Sequence, residues 1–401
     1  VTPRPAPLPL AEAQARLLAL APVVPVEWRE PGDAVGYYLA QALPARRDQP
    51  AAPLSAMDGF AMRAADLPGP WRLVGESAAG HPFAGTVASG EAVAISTGAV
   101  VPTGADMVLL KEDSGVDCGH LTLTGTPPAP TERHIRPRGM DFARGGSILP
   151  TGWRIDATAI GLAIAAGHDR VPVRRALRMT VIDSGDELAL PGTIPLPHQI
   201  PASNGPMLAA MTARLPVHAT RVGPVPDRID ALIAAFDSAS DADVIVTSGG
   251  ASVGDHDLIR PALAAMGVEL DFWRVGIKPG KPLLVARRGA QVMLGLPGNP
   301  ASAWVTAFLF LLPLLRAGLG AATPLPRTIA VPLASPMGKG GSRMEFLRAH
   351  WDGASVTLDQ LQDSGALSPL ARANALVVRA AGALPAPAGT PVPVYLTGLD
   401  L

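Results

Sequence analysis

The constraint that most narrows the fold lies between residues 175 and 320, where short apolar runs alternate with stretches of helical spacing. Residues 177–182, 244–247, 272–277, 283–286 and 292–294 read as strands, and 206–214, 227–236, 257–266 and 301–315 as helices, with Asn204 as a cap for the first. Alternation of this kind implies a mostly parallel sheet covered by helices. In such sheets a ligand binds in the crevice beyond the strand C-termini, which is where the glycine- and proline-rich loops of this segment fall.

The rest of the chain has a different texture. At 401 residues it is too long for one ordinary core. A helix is expected over 8–21, stopped by Pro22, and a second over 34–43. Residues 46–138 carry short apolar runs at 71–74, 92–95 and 107–110 between Gly, Pro and Asp, the pattern of a small β-rich unit. Helical spacing returns at 156–166, with Gly167 as its C-terminal cap. Short strands at 329–333, 355–358, 375–379 and 392–396 imply a small terminal β-barrel or sandwich. The reading is therefore an α/β multidomain chain: 1–45 plus 139–174 as an N-terminal helical/mixed unit, 46–138 as a β-rich insertion, 175–322 as the α/β domain and 323–401 as the barrel.

Composition excludes some functions. Hydrophobic residues make up 48% and charged residues 17%, which is globular rather than disordered. A net charge of -1 argues against a nucleic-acid wrapper, so any anion site must be built locally. Cys118 is the only cysteine, which rules out an intramolecular disulfide and a four-cysteine zinc site and leaves it a spectator in a turn. The apolar run 304–315 contains Pro313 and is shorter than the roughly twenty residues of a bilayer span, so a buried helix is expected. With no basic-then-apolar leader in 1–10, the expectation is a soluble, cytoplasmic protein with no membrane partner.

The strongest local signal is Val244-Ile245-Val246-Thr247-Ser248-Gly249-Gly250-Ala251-Ser252-Val253-Gly254-Asp255-His256-Asp257. A strand runs into hydroxyls and glycines before a helix. Backbone amides of Gly249, Gly250 and Gly254, with Ser248 and Ser252, could cradle an anion at that helix start. The plainer alternative is a tight strand-to-helix turn. It is not a Walker A loop, since no Gly-Lys-Ser/Thr follows. One His between two Asp is poor chelator geometry, so His256 reads as solvent-exposed or as a local hydrogen-bond partner.

Lys278-Pro279-Gly280-Lys281-Pro282 offers two lysines that can converge on one anion, or a solvated turn. Gly295-Leu296-Pro297-Gly298-Asn299-Pro300 lies between a strand and a helix, with Ser302 close behind. Asp183-Ser184-Gly185-Asp186-Glu187-Leu188 and Asp257 supply oxygen ligands that suit Mg²⁺. Asp58 stands among small residues in Ser55-Ala56-Met57-Asp58-Gly59-Phe60-Ala61, where an aspartate-capped turn is the bland reading. Residues 341–346 and 363–365 could bring an arginine and a serine toward a cleft.

Taken in order, these motifs resemble the MoeA-type molybdopterin molybdenumtransferases, the family that includes the plant molybdenum-insertase E domain and the C-terminal part of gephyrin. The matching segments are 55–61, Ser96-Thr97-Gly98-Ala99-Val100-Val101-Pro102-Thr103-Gly104-Ala105-Asp106, 183–188, 248–257, 278–282, 295–300 and 343–348. The resemblance implies a MogA-like central domain and an elongated homodimer in which one subunit's insertion closes the other's site. It implies adenylyl-molybdopterin and molybdate as substrates, with Mg²⁺, and molybdenum cofactor and AMP as products. By motif it assigns catalytic positions to Asp58, Thr97, Asp141, Glu187, Asp227, Asp257, Lys278, Lys281 and Ser364. Ser248, Gly249, Gly250, Ser252, Gly254, Arg274, Pro297, Pro300 and Arg343 fall to substrate binding, and Glu187, Asp227 and Asp257 to the metal.

The chain departs from the family pattern in places. Phe60 stands for a tyrosine, Met140 for an acidic residue before Asp141, and Pro201-Ala202-Ser203-Asn204 for Tyr-Asp-Ser-Asn, which removes an aspartate near the pterin site. Arg274 stands where some members carry lysine. A molybdopterin adenylyltransferase and a non-catalytic gephyrin-like scaffold remain as alternatives, and the resemblance leaves molybdate against tungstate open. Enzymes of the same pathway, the adenylyltransferase among them, are the expected partners.

Overall fold

The computed structural model describes residues 7–249 and 258–398. Its centre is a six-stranded sheet in the order Val217–Val225, Leu177–Ser184, Val244–Ser248, Gln291–Leu296, Leu284–Arg288 and Leu270–Trp273. The first four strands run parallel, and the last two pairings are antiparallel. The sheet is therefore mixed, with its parallel half carrying the motif loops at one end. The edge strand Val217–Val225 is not among the apolar runs read from the sequence. Most of its residues are exposed, so it has no core pattern to read.

Helices cover both faces. Leu10–Ala19, Asn204–Met211 and Pro300–Gly318 lie on the face that buries Met179, Val181, Val244 and Val246. Ile229–Ser238 and Ile259–Ala265 cover the face that buries Ile182 and Ile245. Alternate residues of each strand thus face opposite cores. Helix Pro300–Gly318 has the length and hydropathy of a membrane span, but 83% of its span lies inside the protein. Pro313 sits within it just after a π-helical turn, Ala307–Leu311, and has no N–H for the carbonyl of Leu309. Gln14 Nε2, buried on the first helix, donates to that carbonyl at 2.9 Å.

The segment 34–43 is not a helix. Pro31–Ala34 forms one 3₁₀ turn, Gly36 has a φ of +82°, and the following amides bond outward. Gly36 N donates to Ile155 O, Leu39 N to Trp153 O and Ala40 N to Pro172 O, so none remains for an i−4 ladder. Helix Ala157–Ala165 forms as expected, capped by Asp156 Oδ1 on Ala159 N, with Gly167 left-handed behind it.

Within 46–138 a second six-stranded sheet runs Met107–Leu110, Gly59–Met62, Glu91–Ile95, Trp71–Ser77, His120–Leu123, Ser114–Asp117. Trp71, Met62, Met107, Leu109 and Leu121 fill its core. Cys118 and Gly119, both left-handed, make the two-residue turn of its last hairpin. The C-terminal sheet runs Ile277–Lys278, Met344–Trp351, Ala375–Arg379, Pro391–Leu396, Ile329–Pro332. A bridge between Leu333 and Val356, and Val356–Leu358 pairing with Met344–Trp351, curl it back on itself as a small barrel. Its first strand, Ile277–Lys278, leaves the central segment, so the expected run 272–277 divides between two sheets.

Candidate functional site

The parallel strands end together, and their loops bond to one another. Asp183 and Ser248 are register partners on adjacent strands. Ser184 Oγ donates to Asp227 Oδ1 at 3.1 Å, and Asp227 N donates to Asp186 Oδ1 at 3.1 Å. Gly249 has a φ of +95°, and a Cβ there would overlap the Ser184 carbonyl, so only glycine lets the chain turn this close to the first strand. Its N–H donates to Leu296 O at 3.3 Å.

Asn204 is not the helix cap expected for it. Its Nδ2 donates to Ser248 Oγ at 2.8 Å and to Gly298 O at 2.6 Å, which ties the hydroxyl-glycine loop to the Pro-Gly-Asn-Pro loop. The structure thus groups Ser248, Gly249 and Asp227 and the loop of Pro297 and Pro300 with Asp186, expected only as one of a run of oxygen ligands, and Asn204, expected as a cap. Gly250, Ser252, Gly254 and Asp257, with Asp255 and His256, lie outside the described residues.

A second group forms where the barrel meets the central domain. Ile277–Lys278 pairs in parallel with Met344–Trp351 and sets Lys278 opposite Glu345. Lys278 Nζ lies 3.2 Å from Glu345 Oε1, and Gly341 N donates to the other oxygen at 3.3 Å. Arg343 reaches back, Nη1 donating to Ile277 O at 3.0 Å. Lys281 is exposed, and its carbonyl accepts from Val275 N. Gly280, with a φ of +102°, seats this loop on Thr306 of the long helix.

Ser364 sits at the start of that helix. Its carbonyl accepts from Ala301 N at 3.0 Å and its Oγ from Asn299 Nδ2 at 3.0 Å, with Pro300 opening the helix where no N–H is needed. Arg348, 1% exposed, holds the approach to Ser364: Nη2 donates to Leu361 O, and its backbone exchanges two bonds with the Gln362 side chain. Burial holds this guanidinium below the usual arginine range, against the pull of Asp359 and Asp363. Glu345, Arg348 and Asn299 lie in the matching segments 343–348 and 295–300, but the motifs assign them no role. An acid and a base within the otherwise apolar run 344–349, at Glu345 and Arg348, are the signal that could have found two of them.

The third group is in the inserted sheet. Asp58 Oδ1 accepts from Thr97 N at 2.6 Å and Thr97 Oγ1 at 2.8 Å. Those two bonds, the amide first, hold the Asp58 carboxyl below the usual carboxylate range, with Lys111 adding its charge. A Cβ on Gly59 would overlap the Leu109 carbonyl, which fixes glycine after Asp58. Phe60 is buried in the sheet's core. Among the described residues, the hydrogen bonds of Asp58 and Thr97 stay within this sheet. Asp141 is exposed, its N–H bonded to Gln49 O. Arg274 has a φ of +144° and its carbonyl accepts from Leu8 N.

Of the expected metal ligands, Asp227 bonds to Ser184 and Asp186 rather than to Glu187. Glu187 is exposed and folds its carboxylate over Gly185. Among the described residues no three His, Cys, Asp or Glu side chains converge. The donors present are hard oxygens, which fit Mg²⁺ when substrate phosphates complete the shell.

Comparison with known proteins covers nearly the whole chain. Residues 8–167 match the MoeA N-terminal region (domain I and II), 180–317 the family described as "Probable molybdopterin binding domain", and 330–397 the MoeA C-terminal region (domain IV). The Molybdopterin molybdenumtransferase 2 of Mycobacterium tuberculosis is 37% identical over 320 residues, covering 76% of this chain and 78% of that protein. The molybdopterin molybdenumtransferase of Staphylococcus aureus is 29% identical over 406 residues, 98% of this chain and 96% of its own. A solved molybdopterin biosynthesis MoeA protein from Pyrococcus horikoshii superposes with a TM-score of 0.83 at 26% identity, covering 98% of this chain and 100% of that one.

Proposed function

Since the chain belongs to the MoeA family of molybdopterin molybdenumtransferases, we propose that it inserts molybdate into adenylyl-molybdopterin and releases AMP, the last step of molybdenum-cofactor assembly. The observation that carries the reading is the meeting of two loop systems. Asn204 ties the Ser248–Gly249 turn to the Pro-Gly-Asn-Pro loop, whose Asn299 holds Ser364, and Lys278 and Arg343 lie where the barrel's first strand crosses from the central segment.

The chemistry suits two anions. A pyrophosphate needs amide donors, and a tetrahedral dianion needs clustered cations and hydroxyls. Ser248 and Gly249 open the phosphate cradle, which Gly250, Ser252 and Gly254 extend by motif. Lys278, Lys281, Arg343 and Ser364 form the oxyanion pocket. Glu187 and Asp227, with Asp257 by motif, would hold Mg²⁺, whose charge would ease departure of the nucleotide phosphate. Asp58, kept ionised by Thr97, would orient the oxyanion or water from the partner subunit of a homodimer. Thr97 and Asp141 keep the catalytic roles, and Arg274, Pro297 and Pro300 the binding roles, that their motifs suggest. The substrate would come from a molybdopterin adenylyltransferase in the cytoplasm.

The test is AMP release from adenylyl-molybdopterin by the full chain with Mg²⁺ and either molybdate or tungstate. Oxyanion-dependent AMP is expected, and Lys278→Ala should abolish it. Release that ignores the oxyanion, or survives loss of Lys278, would overturn the assignment.

A further inference from the structure

The first strand of the central sheet carries a carboxylate that none of these roles uses. Asp183 lies one residue before the end of Leu177–Ser184 and shares the face of Met179 and Val181, against helix Asn204–Met211. It is only 7% exposed. The Gly205 N–H donates to it, and a Cβ on Gly205 would overlap it, so the helix start is built around this side chain. Burial, the largest influence, holds the carboxyl above its usual range, and the Gly205 N–H and then Arg221 offset that only in part. A buried carboxylate with one amide donor has acceptor capacity left over, and keeping it there is costly.

A second acceptor lies beside it. Asn204 directs both hydrogens of its amide away, to Ser248 Oγ and Gly298 O, and its buried Oδ1 has no partner among the described residues. Ser248 is the register neighbour of Asp183, and Asn204 directly precedes Gly205. Two under-used acceptors therefore sit together at the strand ends. A phosphate or molybdate oxygen brings them no donor. The base-pairing edge of adenine offers one donor beside an acceptor. The aminopyrimidinone edge of a pterin offers a ring N–H beside an exocyclic amine, two adjacent donors.

We propose that Asp183, with Asn204 Oδ1 beside it, is a specificity-determining residue that receives the N–H donors of the pterin's aminopyrimidinone ring and so sets which end of the substrate enters this crevice. The inference rests on the substrate proposed above. It predicts that the carboxylate acts on pterin recognition and not on the oxyanion.

The decisive variant is Asp183→Asn. Its amide oxygen can still accept from Gly205 N, so the helix start keeps its bond, while its NH₂ opposes the ring donors. In molybdate-dependent AMP release by the full chain, KM for adenylyl-molybdopterin should rise about tenfold or more, with KM for molybdate unchanged. Direct titration with 6-hydroxymethylpterin and 6-hydroxymethyl-lumazine, which has an oxo group in place of the amine, gives an arm independent of turnover. The natural chain should favour the pterin by about tenfold, and the variant should lose that preference. Failure of the natural chain to release AMP would sink the proposed function, and the titration would still decide this inference. An unchanged pterin KM, no pterin preference in the natural chain, or a loss confined to thermal stability would overturn it. Asp183→Ala, which removes the acceptor without adding a donor, should fall between the two.

Discussion

Lys278 and Glu345 face each other across two parallel strands, with Nζ 3.2 Å from Oε1. Glu345 is buried and anchored by Gly341 N, while Lys278 keeps 55% of its side chain exposed. Replacing Lys278 with Met should therefore cost stability as well as activity, because Glu345 stays behind without its countercharge. The exposed lysine limits that cost to about 1 kcal/mol. Glu345→Gln in the same chain should recover the stability and leave AMP release abolished. Urea unfolding and AMP assays on the two single variants and the double variant check this. A double variant that regains activity would remove Lys278 from the oxyanion pocket.

Thr97→Val deletes the hydroxyl donor to Asp58 and keeps the amide. Asp58 lies below the usual carboxylate range, so its charge is constant across neutral pH and is lost only as pH falls through that lowered value. The variant should move this acid limb of the rate profile upward and lower AMP release by about tenfold. A pH–rate profile that does not move would show that Asp58 does not report in turnover.

Asp183 has the opposite sign. Its carboxyl is held above its unfolded range by burial, so it favours the folded chain at low pH, and that contribution fades as pH rises through the folded value. Asp183→Asn should then raise the unfolding midpoint at neutral pH and raise it less at acidic pH. Equal shifts at both would argue that the carboxylate is solvated.

Gln14 is a buried polar residue on the first helix, and its Nε2 serves the Leu309 carbonyl that Pro313 cannot reach. Gln14→Leu removes that donor inside the core and should destabilise the chain by about 1–3 kcal/mol. Gln14→Leu combined with Pro313→Ala, which returns an N–H to the long helix, should recover part of the loss in denaturant unfolding. No recovery would mean that Gln14 acts through packing alone.

What was legible in the sequence follows from where each signal is written. Strands such as Met107–Leu110 and Ala375–Arg379 stand out because apolar side chains cluster between breakers and are then buried. Val217–Val225 was hidden because a mostly exposed edge strand has no apolar pattern. The segment 34–43 has helical spacing, yet Gly36 and the outward bonds of Leu39 and Ala40 override it. In the site, residues on motif loops were legible and their partners were not. Glu345 reaches Lys278 only through a register between distant strands, and Asn204 reads as a cap until its amide is seen to join two loops.

The strand Ile277–Lys278 belongs by sequence to the α/β segment and by hydrogen bonding to the barrel. The two units therefore cannot be cut apart cleanly. A gene fragment ending near residue 322 would strip this strand of its neighbour and expose an open edge in the isolated α/β piece. The complementary fragment would lack the first strand of its sheet. Limited proteolysis between them should yield pieces that remain associated after the peptide bond is broken.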